Sequence, residues 1–344
     1  MPLSDRNSPP SESSSAPSDE SLIRNVSDTA RLVAIDRAVE SERPDALFRD
    51  PFARRLAGER GARIAKSKPL GGRTNGLGWP IVTRTYVIDR MIQAHIEYHG
   101  DAVINLAAGL DTRAYRMDLP ASLQWIEVDL PEILAHKEEV LRGEKPVCSL
   151  ERIRLDLSEV PARRELFARL GRQSRKALVI TEGLVGYLTC DEVALLAQDL
   201  AAQPSFRSWI LDMVSPKLLA TLQKRMTSNF KQTAPFKFAP EEGPAFFARF
   251  GWTVVEANSL LRVAARLNRL PFYLVPISWL PDSHGTQPQR PWAASASSPE
   301  PFETSGRMRA EIRTVSSPRI RRIIELPMNK ISRNLHGARA NPSA

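Results

Sequence analysis

The chain has 344 residues and 42% hydrophobic side chains, enough for one large domain or two small ones around a sizeable core. Its formal charge of +9 is uneven: residues 281–344 hold ten Lys/Arg against five Asp/Glu, which reads as a solvated basic tail and gives no ground for nucleic-acid binding. Two cysteines, five histidines, no apolar run near the roughly 20 residues that span a bilayer and no apolar leader argue against a disulfide framework, a structural zinc site, a membrane partner and secretion, so a cytoplasmic setting is expected.

Residues 1–27 read as a disordered, Ser/Pro-rich tail with almost no apolar side chains over 1–20 to offset the entropy of ordering. Asp28 is a plausible cap for a helix reaching about Ser41, Pro44 interrupts it, and Asp50-Pro51 is the cap-then-proline start of another. Gly71, Gly72, Gly76 and Gly78 predict a mobile loop over 71–78. Pro80 to His99 reads as one long helix with Gly100 just past its end, its apolar face carrying Ile81, Ile88, Met91, Ile92 and Ile96. Arg84 and His95 fall inside that arc, and an arginine there needs an anionic partner or a path to water.

Strands and helices then alternate: strand 102–108, strand 124–129, helix 131–142, strand 152–156, helix 162–170, strand 177–182, helix 191–202 and strand 208–214. Short links between such units predict a doubly wound, mostly parallel α/β sheet. Helical stretches at 216–227 and 241–250 and a strand at 253–257 follow. After Leu280 the composition turns to Pro, Ser, Gln and Ala, so the domain is drawn over 28–280, as a helical lid (28–99) and an α/β core (100–280), with 281–344 as a low-complexity basic extension.

The most informative run is Ala102 to Glu132, AVINLAAGLDTRAYRMDLPASLQWIEVDLPE. It reads as a strand, a glycine-containing turn, a short helix and a second strand ending in acids. Gly109 lets backbone approach a ligand, and Asp129, at the tip of the next strand, stands where a carboxylate commonly grips the two hydroxyls of a ribose. A dinucleotide site carries three glycines in G-x-G-x-x-G, but here Ala107, Gly109 and Thr112 occupy those places, and Asp111 would repel a pyrophosphate. An adenosine cofactor without phosphate removes the conflict, and S-adenosyl-L-methionine is one.

NLAAGLDTRAYR, WIEVDLPE, RLDLSE and VITEGLVGYLT, in this order, resemble the leucine carboxyl methyltransferase family, and most closely its actinobacterial branch of S-adenosylmethionine-dependent methyltransferases. ESERPDALFRDPFA upstream and APEEGPAFFARFGW and RLNRLPF downstream also fit that branch, so the resemblance covers about 28–293. It implies the class I methyltransferase (Rossmann-like) fold. It also implies that Arg84 pairs with the cofactor's carboxylate, Gly109 lies under its methionine part, Asp129 holds the ribose, Asp156 and Leu157 flank the adenine, and Glu182 lies near the amino group. Relatives close the sheet with an antiparallel strand after a motif like RPWGG. Here Arg290-Pro291-Trp292 is followed by Ala293-Ala294-Ser295-Ala296, so the last strand is expected to be absent, short or displaced.

Plainer readings stand beside these. Arg84 could be a structural ion pair, Asp156 a helix cap, Asp111 a turn residue, and Tyr187 a packing residue; Glu127 is expected to face a neighbouring helix or solvent. Methyl transfer to a carboxylate needs no base, whereas a hydroxyl acceptor needs one, with His95, Tyr187 and Glu182 as candidates. The expected activity is O-methylation of a small metabolite. A nicotinamide-dependent reductase and a degenerate binding protein are the alternatives.

Overall fold

The computed structural model describes residues 26–66, 78–229, 236–279 and 293–297. The tail at 1–25, most of the glycine-rich loop and most of the C-terminal extension lie outside them.

Three helices come first: α1 (Val26–Ser41), α2 (Ala53–Lys66) and α3 (Trp79–Glu97). Asp50 starts α2 as expected of a cap: its Oδ1 accepts the N–H groups of Phe52 and Ala53 at 3.2 and 3.0 Å. The alternating part comprises β1 (Ala102–Leu106), α4 (Arg113–Arg116), β2 (Gln124–Asp129), α5 (Pro131–Val140), β3 (Ser149–Arg154), α6 (Val160–Gln173), β4 (Ala177–Thr181), a 3-10 turn at Val185–Tyr187, α7 (Cys190–Ala201) and β5 (Phe206–Val214). Helix α8 (Pro216–Asn229), a 3-10 helix at Gly243–Phe250, β6 (Glu256–Ser259), α9 (Leu260–Arg266), a 3-10 turn at Phe272–Leu274, α10 (Val275–Ser278) and β7 (Ala293–Ser297) complete the described elements.

The strands form one sheet in the order β3-β2-β1-β4-β5-β7-β6. Strands β1 to β5 pair in parallel, and β7 is antiparallel to both β5 and β6. That is the arrangement implied by the resemblance noted from the sequence. The closing strand is therefore present: it is short, but it occupies its place between β5 and β6, within the stretch read from sequence as the C-terminal extension.

Sequence explains which strands lie at the centre. AVINL in β1 and ALVIT in β4 are buried at every position, as strands covered on both faces must be, whereas SLERIR in β3 leaves the first, third and last of its residues exposed. Successive side chains alternate between faces. Ile104, Leu106, Val128 and Val179 meet Phe167 of α6, Leu196 of α7 and the aromatic group Trp209, Phe246, Phe247 and Trp252 on one side. Val103, Trp125, Leu178 and Ile180 meet Ile35 of α1, Leu56 of α2 and Ile88 and Ile92 of α3 on the other. Helix α3, grouped with a lid on sequence, thus helps to build a core.

Candidate functional site

The strand order reverses between β1 and β4, and in open α/β sheets ligands bind beyond the carboxyl ends of the strands at that point. Gly109 follows β1 there, Asp129 ends β2, Asp156 and Leu157 follow β3, and Glu182 follows β4. All five lie along one edge of the sheet.

The turn after β1 is built from two residues with left-handed backbone, Ala107 (φ 55°) and Gly109 (φ 50°). The N–H of Gly109 donates to Asp129 Oδ2 at 2.6 Å, and that of Leu130 to Asp129 Oδ1 at 2.7 Å. Burial raises the pKa of Asp129, against the lowering effect of these two N–H groups. Each oxygen keeps further acceptor capacity. Ala30 of α1 faces the turn: a Cβ on Gly109 would lie 3.7 Å from the Ala30 Cβ. Arg37 of α1 donates to the carbonyl of Leu110 at 2.5 Å and to Asp50 Oδ2 at 2.9 Å, so α1 and the turn are joined.

Asp111 follows the plainer reading. It accepts the N–H of Arg113 at 2.7 Å at the start of α4, bonds Asn105 Nδ2 at 2.9 Å and pairs with the Arg113 guanidinium at 2.6 Å. Burial works against its charge, but Arg113 together with Lys137, Arg116 and Arg37 outweighs it and holds the carboxyl well below the usual range.

Arg84 rises from the second turn of α3 to the same edge. Its Nε donates to Glu182 Oε1 and its Nη1 to Asp212 Oδ2, both at 2.8 Å. Burial alone would lower its pKa, yet the two carboxylates raise it above the usual arginine value. The other Glu182 oxygen accepts from Arg113 Nη1 at 2.8 Å, and Arg113 Nε reaches Asp89 at 2.6 Å. Asp89 in turn holds Arg116 through two bonds of 2.8 and 2.9 Å. Despite its burial, Glu182 is kept below the ordinary carboxylate range by Arg113 and Arg84. A chain of alternating charge thus runs from β5 through β4 to α4 and α3.

Of the residues read from sequence, two pairs are in contact: Gly109 with Asp129, and Arg84 with Glu182. Asp156 and Leu157 stand one strand further out, where the Leu155 N–H bonds the Asp129 carbonyl at 3.0 Å. The exposed Asp156 carboxylate accepts the N–H of Ser158 at 2.9 Å, closing a turn ahead of α6, whose N-cap is Glu159 and not Asp156. Leu157 packs against the core beneath.

Tyr187 is half-buried and stacked on Phe236 with ring centroids 4.7 Å apart, and its hydroxyl bonds Thr29 of α1. Burial raises its pKa. His95 lies in the last turn of α3, against Gly100 at the amino edge of the sheet, which removes it from the set of bases near this site. Glu127 faces the neighbouring helix and not solvent: fully buried, it pairs with Lys137 of α5 at 2.8 Å and with Arg152 at 2.9 Å. A separate cavity, bounded by Asp36, Glu40, Trp79 and Arg269 among others, contains none of the sequence-predicted site residues.

Sequence reasoning missed Asp212 and Arg113. Asp212 had a signal, an acid near the carboxyl end of a mostly apolar strand, much as Glu182 follows the apolar β4. Arg113 had none, because its partners lie on three separate elements.

A family model described as leucine carboxyl methyltransferase matches residues 30–201. A protein of Parafrankia sp. (strain EAN1pec), named "Putative S-adenosyl-L-methionine-dependent methyltransferase", is 34% identical over 258 residues, covering 71% of this chain and 82% of that protein. Proteins of the same descriptive name from Streptomyces coelicolor and Mycobacteroides abscessus are 37% identical over 185 residues and 34% identical over 194. These matches cover 51% and 52% of this chain, and 64% and 62% of the two relatives, slightly under two thirds of their length. The chain belongs to the leucine carboxyl methyltransferase family and, with it, to the S-adenosyl-L-methionine-dependent methyltransferases.

Proposed function

We propose that this protein transfers the methyl group of S-adenosyl-L-methionine to an oxygen, carboxyl or hydroxyl, of a small molecule. The observation that carries the reading is the paired arrangement of Asp129 with Gly109 at the carboxyl edge. A carboxylate fixed by two backbone N–H groups and retaining free lone pairs suits a vicinal diol.

The other residues fit the same cofactor. Arg84 has Nη2 donors left over after binding Glu182 and Asp212, in position for an α-carboxylate. Asp156 and Leu157 offer an acceptor and an apolar surface for adenine, and Glu182 an anionic surface for an ammonium group. Asp111 and the single glycine of the turn disfavour a pyrophosphate there. When bound, the cofactor supplies an electrophilic methyl group on a sulfonium. The chain's task is then to align the acceptor oxygen and exclude water. Helices α1 and α2 act as the lid in this reading, since Thr29 bonds Tyr187 and Ala30 lies over Gly109.

Calorimetry with S-adenosylhomocysteine tests the cofactor site: binding to the natural protein and its loss in Asp129→Ala are expected, and undiminished affinity in the variant defeats the assignment. Incubation of metabolite extracts with methyl-labelled cofactor then identifies the acceptor. A base-labile product marks a carboxyl ester and a base-stable one an ether; label appearing only on nitrogen, carbon or macromolecules refutes small-molecule O-methylation. Hydrogen exchange without added protection in α1 and α2 on loading would count against the lid.

A further inference from the structure

Asp212 stands at the carboxyl end of β5, and both of its oxygens are committed. Oδ2 accepts from Arg84 Nη1 at 2.8 Å, and Oδ1 accepts the backbone N–H of Gly183 at 2.5 Å. Gly183 is the residue directly after Glu182, and its φ of 68° is one that side chains disfavour. One carboxylate therefore fixes the turn that carries Glu182 and the guanidinium that Glu182 also holds. With Nε tied to Glu182 and Nη1 tied to Asp212, the plane of the Arg84 guanidinium is determined on two edges. Nη2 is the remaining edge. A Cβ at Gly183 would lie 3.7 and 3.8 Å from Nη1 and Nη2, so glycine keeps that flank of the guanidinium uncovered.

We infer that Asp212 is a positioning residue: it aims the free edge of Arg84 at the α-carboxylate of the cofactor's amino-acid portion, and so makes the site select for ligands that keep that carboxylate. This rests on the cofactor reading above. Preorganising a donor before binding removes the cost of ordering it on binding, and aligned charge-assisted hydrogen bonds are the strong ones.

The test compares two ligands on the full chain by calorimetry. S-adenosylhomocysteine carries the α-carboxylate, whereas 5′-methylthioadenosine shares the nucleoside and lacks the amino-acid portion. Asp212→Asn is expected to weaken S-adenosylhomocysteine by about tenfold or more and to leave 5′-methylthioadenosine unchanged. Asp212→Glu, which retains the charge, should restore part of the difference. Thermal unfolding monitors integrity, and Asp212→Ser, which leaves a hydroxyl near the Gly183 N–H, serves if the first variant does not fold. An equal loss for both ligands marks a merely structural residue and overturns the inference, as does full retention of S-adenosylhomocysteine affinity. Binding of neither ligand by the natural protein defeats the cofactor reading instead, and the inference falls with it.

Discussion

The backbone N–H of Gly109 donates to Oδ2 of Asp129 at 2.6 Å, so the turn after β1 and the tip of β2 form one unit. Asp129→Ala removes both a ligand acceptor and the anchor of the turn. Affinity for S-adenosylhomocysteine should fall on the order of 1.5–3 kcal/mol, the range for hydrogen bonds to a charged group. Acidity gives a second readout. Burial raises the pKa of Asp129, and the ionised form is the better acceptor of hydroxyl groups. Affinity should therefore begin to drop on acidification at a higher pH than an ordinary aspartate would require. Calorimetry at successive pH values checks this, with circular dichroism to verify that the fold persists. Constant affinity through the acid range would remove the role given to the carboxylate.

Arg84 offers a different test, because its removal touches two carboxylates at once. Arg84→Ala leaves Asp212 without its guanidinium partner and leaves Glu182 with Arg113 alone. Cofactor affinity and thermal stability should both fall, the latter by about 1–3 kcal/mol for unsatisfied polar groups in a half-buried site. Adding Asp212→Asn to Arg84→Ala should recover part of the stability and none of the affinity. If the single variant loses stability alone, Arg84 is a structural ion pair.

The buried pair of Lys137 and Glu127 gives a prediction free of any ligand. Both side chains are fully buried, with Arg152 as a third member. Lys137→Met leaves Glu127 with one cation and should destabilise by about 3 kcal/mol, the lower end of the cost of breaking a buried pair. The double variant Lys137→Met, Glu127→Gln should lose less than the single one, since no carboxylate is then left short of a partner. Urea unfolding measures both; equal losses would show that packing, and not charge, dominates there.

Much of this arrangement is legible from local pattern. The run from Ala102 to Glu132 announces a strand, a turn and a second strand, because continuous apolar residues, a glycine and a terminal acid each have a local physical meaning. Asp50 could be read as a cap for the same reason. What local pattern does not carry is pairing across the fold. Arg113 reaches Asp89 and Glu182, 24 and 69 residues away, and no periodicity encodes either contact. The closing strand was obscured by its composition: AASAS lacks the β-branched and aromatic residues that mark strands, and the pairing with β5 and β6 supplies what propensity does not. His95 looked available for catalysis because helical spacing gives the face of a residue and not its height. Arg84 and His95 share that face of α3 but sit near its opposite ends.

That height produces the last prediction. A Cβ on Gly100 would collide with the His95 imidazole, so Gly100→Ala should destabilise by about 1–3 kcal/mol as an overpacked core does. His95→Ala in the same chain should relieve part of the loss, and a double-mutant cycle by urea unfolding reads the coupling. The ring also carries a pH signature. Burial, helped by the nearby Lys176 charge, lowers the His95 pKa to about 4. An unfolded chain binds a proton there near the ordinary histidine value of about 6.5. Between those two values the unfolded state holds more protons than the folded one, so stability from His95 is complete above the upper value and is lost as pH falls toward the lower. The loss is on the order of 3 kcal/mol. His95→Leu should flatten that part of the stability profile, whereas an unchanged slope would mean that the ring is not kept neutral by its surroundings.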